Sequence, residues 1–227
     1  MFKHMARSVQ TVEAIVSKLF PAGCGWQTAS IVADNASYLP TTLPFFLSVG
    51  LGEGLAVGLG HITYYGLKNK MLSLKTDMSL QRGSALQLGT AAAMSGTIWQ
   101  PSVNLFSEYG FTTTALGTVG ICGLTFLSGL QLSRFVWGRL DGITLEKNNS
   151  TNLRNDTLLS VSVAGAAGLF VATDVSLANN FLAGYFGITE EMSNLSGIGT
   201  AGMSTAVGFT GVQTLQNTFM KKNWIDA

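Results

Sequence analysis

Glu53 is the residue whose surroundings most ask for a chemical explanation. It is the one charged side chain between residues 35 and 67, and Gly50, Gly52, Gly54, Gly58 and Gly60 flank it. A carboxylate in such a window is a natural site for a proton or a cation. The competing role is structural, a pair with Lys18. Asp174 is the second candidate. It stands in Ala172-Thr173-Asp174-Val175-Ser176, with Asn179 and Asn180 a turn later, a set of hard oxygens suited to a cation or to a helix cap. Asp34, Glu108, Glu190 and Glu191 complete the group. With Asp174 they fall in three stretches, 28–42, 101–111 and 174–193, that hold no Lys or Arg. An acidic mouth of this kind concentrates cations and repels anions. The ion-binding candidates are therefore Glu53, Asp174, Asn179, Asn180, Asp34 and Glu108.

Other chemistries find no residues to carry them. There is no phosphate-binding loop, dinucleotide fingerprint or nucleophile elbow, and an enzyme is not expected. Two Cys and two His, none at ligand spacing, argue against a metal site, a haem or any other cofactor. A net charge of +1 excludes an electrostatic nucleic-acid binder, which needs a clustered basic excess.

The elements that must position these acids follow from where charge is missing. The 227 residues are 47% hydrophobic and 11% charged, against about 25% charged in soluble domains. No charge interrupts 83–107, 109–133 or 192–220, and 157–189 contains Asp174 alone. Crossing the hydrocarbon core takes about 20 apolar residues in a helix. The expected fold is all-α, a polytopic membrane protein with helices near 8–27, 43–66, 84–100, 112–136, 157–173 and 194–217. The first of these, with Glu13, Lys18 and Pro21, could instead lie along the interface. Basic residues fall at the termini and in 67–83 and 137–156, while the opposite connectors are acidic. The positive-inside rule then puts both termini in the cytoplasm or the matrix. Residues 1–20 lack the apolar run of a cleavable secretory signal. A bacterial or a mitochondrial inner membrane fits the pattern.

Small residues pattern the helices. Gly50, Gly54 and Gly58 form a row at four-residue spacing, which lets another backbone approach closely. Thr200, Ser204 and Gly208 form a similar row in the last helix. Trp26 and Trp99 are expected as interface anchors at the outer helix ends, and His61 as a packed residue. Trp26-Gln27 recurs as Trp99-Gln100, and a shift of about 73 residues also aligns Gly23 with Gly96 and Gly50 with Gly123. One membrane domain, 1–227, of three two-helix repeats (7–79, 80–152 and 153–227) is expected. Three such repeats with both termini on one side resemble the plan of mitochondrial carriers. The resemblance covers architecture alone, because Pro101 is followed by Ser102-Val103-Asn104-Leu105-Phe106, without the charges of the carriers' Pro-x-acidic-x-x-basic motif.

The expected function is a transporter or channel for a small solute, a cation or a proton-coupled substrate. The alternative is a non-catalytic membrane subunit or scaffold of a larger complex, and a third class is a membrane-inserting effector. Expected partners are the lipid bilayer, with other membrane subunits or further copies of this chain.

Overall fold

The computed structural model describes residues 12–72, 77–109, 115–137, 139, 150–172 and 190–219. Among them every regular element is a helix. A π-helical segment, Ile15–Leu19, runs without a break into α1 (Phe20–Asn35). There follow α2 (Leu43–Leu72), α3 (Met78–Glu108), α4 (Ala115–Trp137), α5 (Ser150–Ala172) and α6 (Glu190–Phe219).

Local chemistry accounts for several boundaries. Ser37, at φ 61°, ends α1: its N–H donates to the Asp34 carbonyl at 2.9 Å and that of Tyr38 to Ala33 at 3.0 Å, the two bonds of a Schellman turn. Asp77 caps α3, its Oδ1 accepting from the Ser79 N–H at 2.9 Å, which satisfies an otherwise orphaned donor. The π turn sits immediately before Pro21, which has no N–H for the Ser17 carbonyl, and the Phe20 N–H reaches five residues back to Ile15 rather than four to Val16.

The helices form a closed ring. Each packs on its neighbours in sequence, and α6 closes on α1. The first helix is thus part of the bundle, set between α2 and α6. Several helices outrun the expected bounds. Helix α1 continues to Asn35, and α3 spans Met78–Glu108 with Pro101 inside it. The expected outer connectors 28–42 and 101–111 are therefore largely helical.

Glycine governs the junctions. A Cβ at Gly54 would lie 2.5 Å from the Gly89 carbonyl oxygen of α3, and one at Gly208 would lie 2.6 Å from the Gly165 carbonyl oxygen of α5. Gly50 is closed in by Thr97 and Ala93, whereas Gly58 has ordinary room, 3.5 Å from Ala85. The face of α2 opposite Glu53, between the glycine rows that meet α1 and α3, is a leucine row: Leu43, Leu47, Leu51, Leu55 and Leu59 are all exposed. Meanwhile Ser17, His61, Ser95, Ser133, Ser160 and Ser162 are buried. Most of these serines hand their proton to a backbone carbonyl of their own or a neighbouring helix, as Ser133 does to Leu130 at 2.8 Å and Ser95 to Cys122 at 3.2 Å. Exposed leucines outside, with several serines set among an apolar core, depart from the usual soluble pattern.

Two helical stretches, Leu43–Leu72 and Val119–Trp137, are long and apolar enough to cross a membrane. Of the six expected spans, these are the two that length and apolar composition support among the described residues. Gly, Ala, Ser and Thr fill much of the other helices and dilute their hydropathy.

Candidate functional site

All six helices contribute to one central cavity of about 230 Å3. Glu53 lines it, at the level where three backbones converge. A Cβ at Gly25 of α1 would lie 3.3 Å from the Glu53 Cα, and one at Gly96 of α3 would lie 2.5 Å from Glu53 Oε2. The side chain therefore crosses from α2 into a notch that Gly96 leaves open. Any larger residue at position 96 would displace it. Among the described residues the ion pairs lie elsewhere, and none holds this carboxylate.

Lys18, the expected partner, reaches the same cavity from α1's π-helical segment. It is not paired with Glu53. The two ion pairs of the described residues lie elsewhere, Lys68 with Glu13 and Arg134 with Asp156. Both are at the end of the ring where α1 begins and α2 ends. Lys18 and Glu53 thus face one cavity as separate charges. Ala22, Gly23, Val57 and Leu88 line the same cavity, and Trp26, Trp99 and Phe126 contribute aromatic rings to its apolar wall.

Several expected site residues fall elsewhere. Asp34 and Glu108 are exposed in the last turns of α1 and α3, away from the cavity lining. Asp174, Asn179 and Asn180 lie outside the described residues, so the structure leaves their cation site without a geometry. Trp26 and Trp99, expected as interface anchors, both line the cavity, and Trp99 is only 6% exposed. Because α1 and α3 run about two turns farther than expected, these indoles sit within helices rather than at their ends. His61 is packed, 2% exposed, with Nε2 2.8 Å from Gln81 Oε1.

Sequence reasoning missed Asp156. Its Oδ1 accepts from Arg134 Nη2 at 2.8 Å and its Oδ2 from Gln131 Nε2 at 2.8 Å, and both ion-pair side chains are 8% exposed. Gln87, with its amide oxygen turned to the guanidinium, accepts from Arg134 Nε at 2.9 Å. The cluster ties α3, α4 and α5 together. Asp156 shares the connector 137–156 with Asp141 and Glu146 as well as Arg139, Lys147 and Arg154, so composition alone did not single it out.

No family model, no curated protein and no solved structure matches the chain.

Proposed function

We propose that the chain is a polytopic membrane protein that moves a small solute through its helical ring, driven by or coupled to a cation or proton, with Glu53 as the charge at the centre of the path. The observation that carries this reading is a carboxylate in no ion pair among the described residues, inside a cavity that every helix lines, while leucines cover the outside of α2. Keeping such a group is costly unless something else compensates it, and a transient solute or ion would do so. Exposed Asp34 and Glu108 at one end of the ring supply an acidic approach, as an entrance for cations requires.

Glycine positions support the repeat reading. Gly23 of α1 faces α6 as Gly96 of α3 faces α2, and Gly50 of α2 faces α3 as Gly123 of α4 faces α5. Residues aligned by the 73-residue shift thus occupy equivalent junctions. Each faces the adjacent pair, the arrangement expected of parallel repeats about a central axis.

The decisive test is reconstitution of purified protein into liposomes, with flux of protons and monovalent cations recorded under imposed gradients. Flux is expected in the wild type and absent in Glu53→Gln. A silent wild type that instead co-purifies in a fixed stoichiometric complex would replace this reading with that of a membrane scaffold.

A further inference from the structure

The carboxylate of Glu53 and the wall around it ask for different things of an occupant, and together they narrow its chemistry. Near Glu53, α1 and α3 each bring a glycine and an indole. Gly25 packs on the Glu53 backbone, and Gly96 leaves room for Oε2. Trp26 follows Gly25 directly and Trp99 stands about one turn beyond Gly96, and both line the cavity. Farther around the wall are the rings of Phe126 and Phe209 and the aliphatic side chains of Leu88, Leu159 and Val163. Among the described residues the lining holds one further charge, Lys18, about two turns nearer the start of α1 than Gly25. Its electrostatic neighbours are Glu13 and His61, whereas the group that feels Glu53 is the Cys122 thiol of α4.

We infer that the cavity binds an organic monocation, an ammonium carrying an aromatic or branched aliphatic group, with its charge on Glu53 and its apolar body against the wall. The inference rests on the reading of this cavity as a solute path, and names its substrate class.

Charge is the first argument. A carboxylate held in no ion pair and set among apolar side chains is penalised by desolvation. An occupant with one positive charge cancels it, a neutral one leaves it, and an anion doubles it. A proton or a small inorganic ion would also neutralise the acid, but would make no use of the wall.

The scarcity of oxygen is the second. Calcium or magnesium takes six or more oxygen ligands. Beyond Glu53, the oxygen-bearing side chains of the described lining are Ser95, Thr205 and Gln213. They do not gather around the acid: Ser95 is turned to Cys122 of α4, and Thr205 meets α1 at Gly23. An ammonium asks for less. One carboxylate takes its hydrogen bond, and an indole face within about 6 Å adds a cation–π attraction.

Size is the third. An apolar cavity of about 150 Å3 takes up benzene. This one, at about 230 Å3, has room for a ring and a short chain.

The test measures calorimetric binding to the wild-type protein in nanodiscs at neutral pH. Its probes are phenethylamine, 2-phenylethanol (the shape without the charge), 3-phenylpropanoate (the opposite charge) and methylamine (the charge without the body). Phenethylamine is expected to bind tightest. The alcohol and the carboxylate should bind about tenfold to a hundredfold more weakly, the loss of one charge-assisted contact. Methylamine should bind at least about tenfold more weakly, because it buries no ring. Glu53→Gln should bring the amine down to the alcohol and leave the alcohol unchanged; the probe series on the wild type decides the matter even where that variant fails to fold. Should 2-phenylethanol, 3-phenylpropanoate or methylamine match phenethylamine on the wild type, the inference is overturned, since the charge or the wall would be unread. A preference for the amine that survives in Glu53→Gln would overturn it too. Phenethylamine failing to bind, while a Glu53-dependent flux of protons or inorganic cations persists in liposomes, would overturn the organic cation and leave the transport reading standing. Binding of the amine without any flux would keep the ligand class and remove the transport reading, and neither binding nor flux would remove both.

Discussion

A carboxylate held in no ion pair is costly to keep inside a bundle, and Glu53 is positioned by what its neighbours lack. Gly25, Gly52 and Gly96 let three helices meet around it, and the carboxylate lies in the notch at Gly96. Glu53→Gln should abolish flux in liposomes without lowering the thermal midpoint in detergent, because an amide is cheaper to bury than a carboxylate. A midpoint that falls by many degrees would mark Glu53 as a structural residue. Arg134 and Asp156 are the opposite case. Each supplies the compensation of the other, so Asp156→Asn strands a buried guanidinium and should cost about 3–5 kcal/mol, measured as the loss of unfolding free energy or, failing reversibility, of thermal half-life. The double variant Arg134→Met with Asp156→Leu should recover much of that loss. At this scale the sequence was only partly legible. Glu53 stood out because an isolated charge in an uncharged window is visible without any coordinates. The indoles were misplaced for a physical reason: Pro101 and the Gly23-Cys24-Gly25 run look like helix ends, yet packing carries α1 and α3 through them, and a tryptophan one turn from an apparent end became a cavity residue.

Helix against helix, the ring is held by backbone proximity rather than by interlocking large side chains. The glycines of α2 meet α3 at carbonyl distance, and those of α5 and α6 meet each other in the same way. Gly54→Leu would place its Cβ within 2.5 Å of the Gly89 carbonyl oxygen and a branched side chain beyond it. Overpacking of this kind costs about 1–3 kcal/mol, and the expected readout is a lowered thermal midpoint together with early aggregation in detergent. Gly66→Leu, where nothing lies within 4 Å of the added Cβ, is the control and should be close to neutral. A Gly54→Leu protein as stable as that control would exclude the close-packed junction. Most of this layer could be read in advance, since a four-residue glycine spacing defines one helix face whatever the fold. The rotation of α1 could not. It depends on the π turn just before Pro21, and hydrophobic periodicity assumes a uniform 3.6-residue turn; the competing role for Glu53, a pair with Lys18, is not what the structure shows.

For the molecule as a whole, the order of the helices around the ring and the distribution of charge at its two ends make one prediction together. In a background with Cys24 and Cys122 replaced, single cysteines at Asp34 and Glu108 should react with an impermeant maleimide from one side of sealed vesicles, and cysteines at Lys70 and Arg139 from the other. Reaction of positions 34 and 70 from the same side would rule out α2 as a span. The charge alternation was legible because it depends on composition alone, whereas the closed ring was not, because no pairing of α1 with α6 is written in either helix by itself. That last pairing has a consequence for how the molecule comes into being. Five of the six junctions join helices that are consecutive in the chain, and each can zip up as soon as its second member emerges. The sixth joins the first helix to the last, with the flank around Gly23 and Cys24 waiting for Ala201, Gly202 and Thr205. Until synthesis reaches them the assembly is a horseshoe, open sideways along one seam, with its largely apolar interior and Glu53 facing whatever lies beside it. A chaperone, a lipid or a second horseshoe can occupy that seam first, and the alternative to ring closure is then an exchange of α6 between two chains.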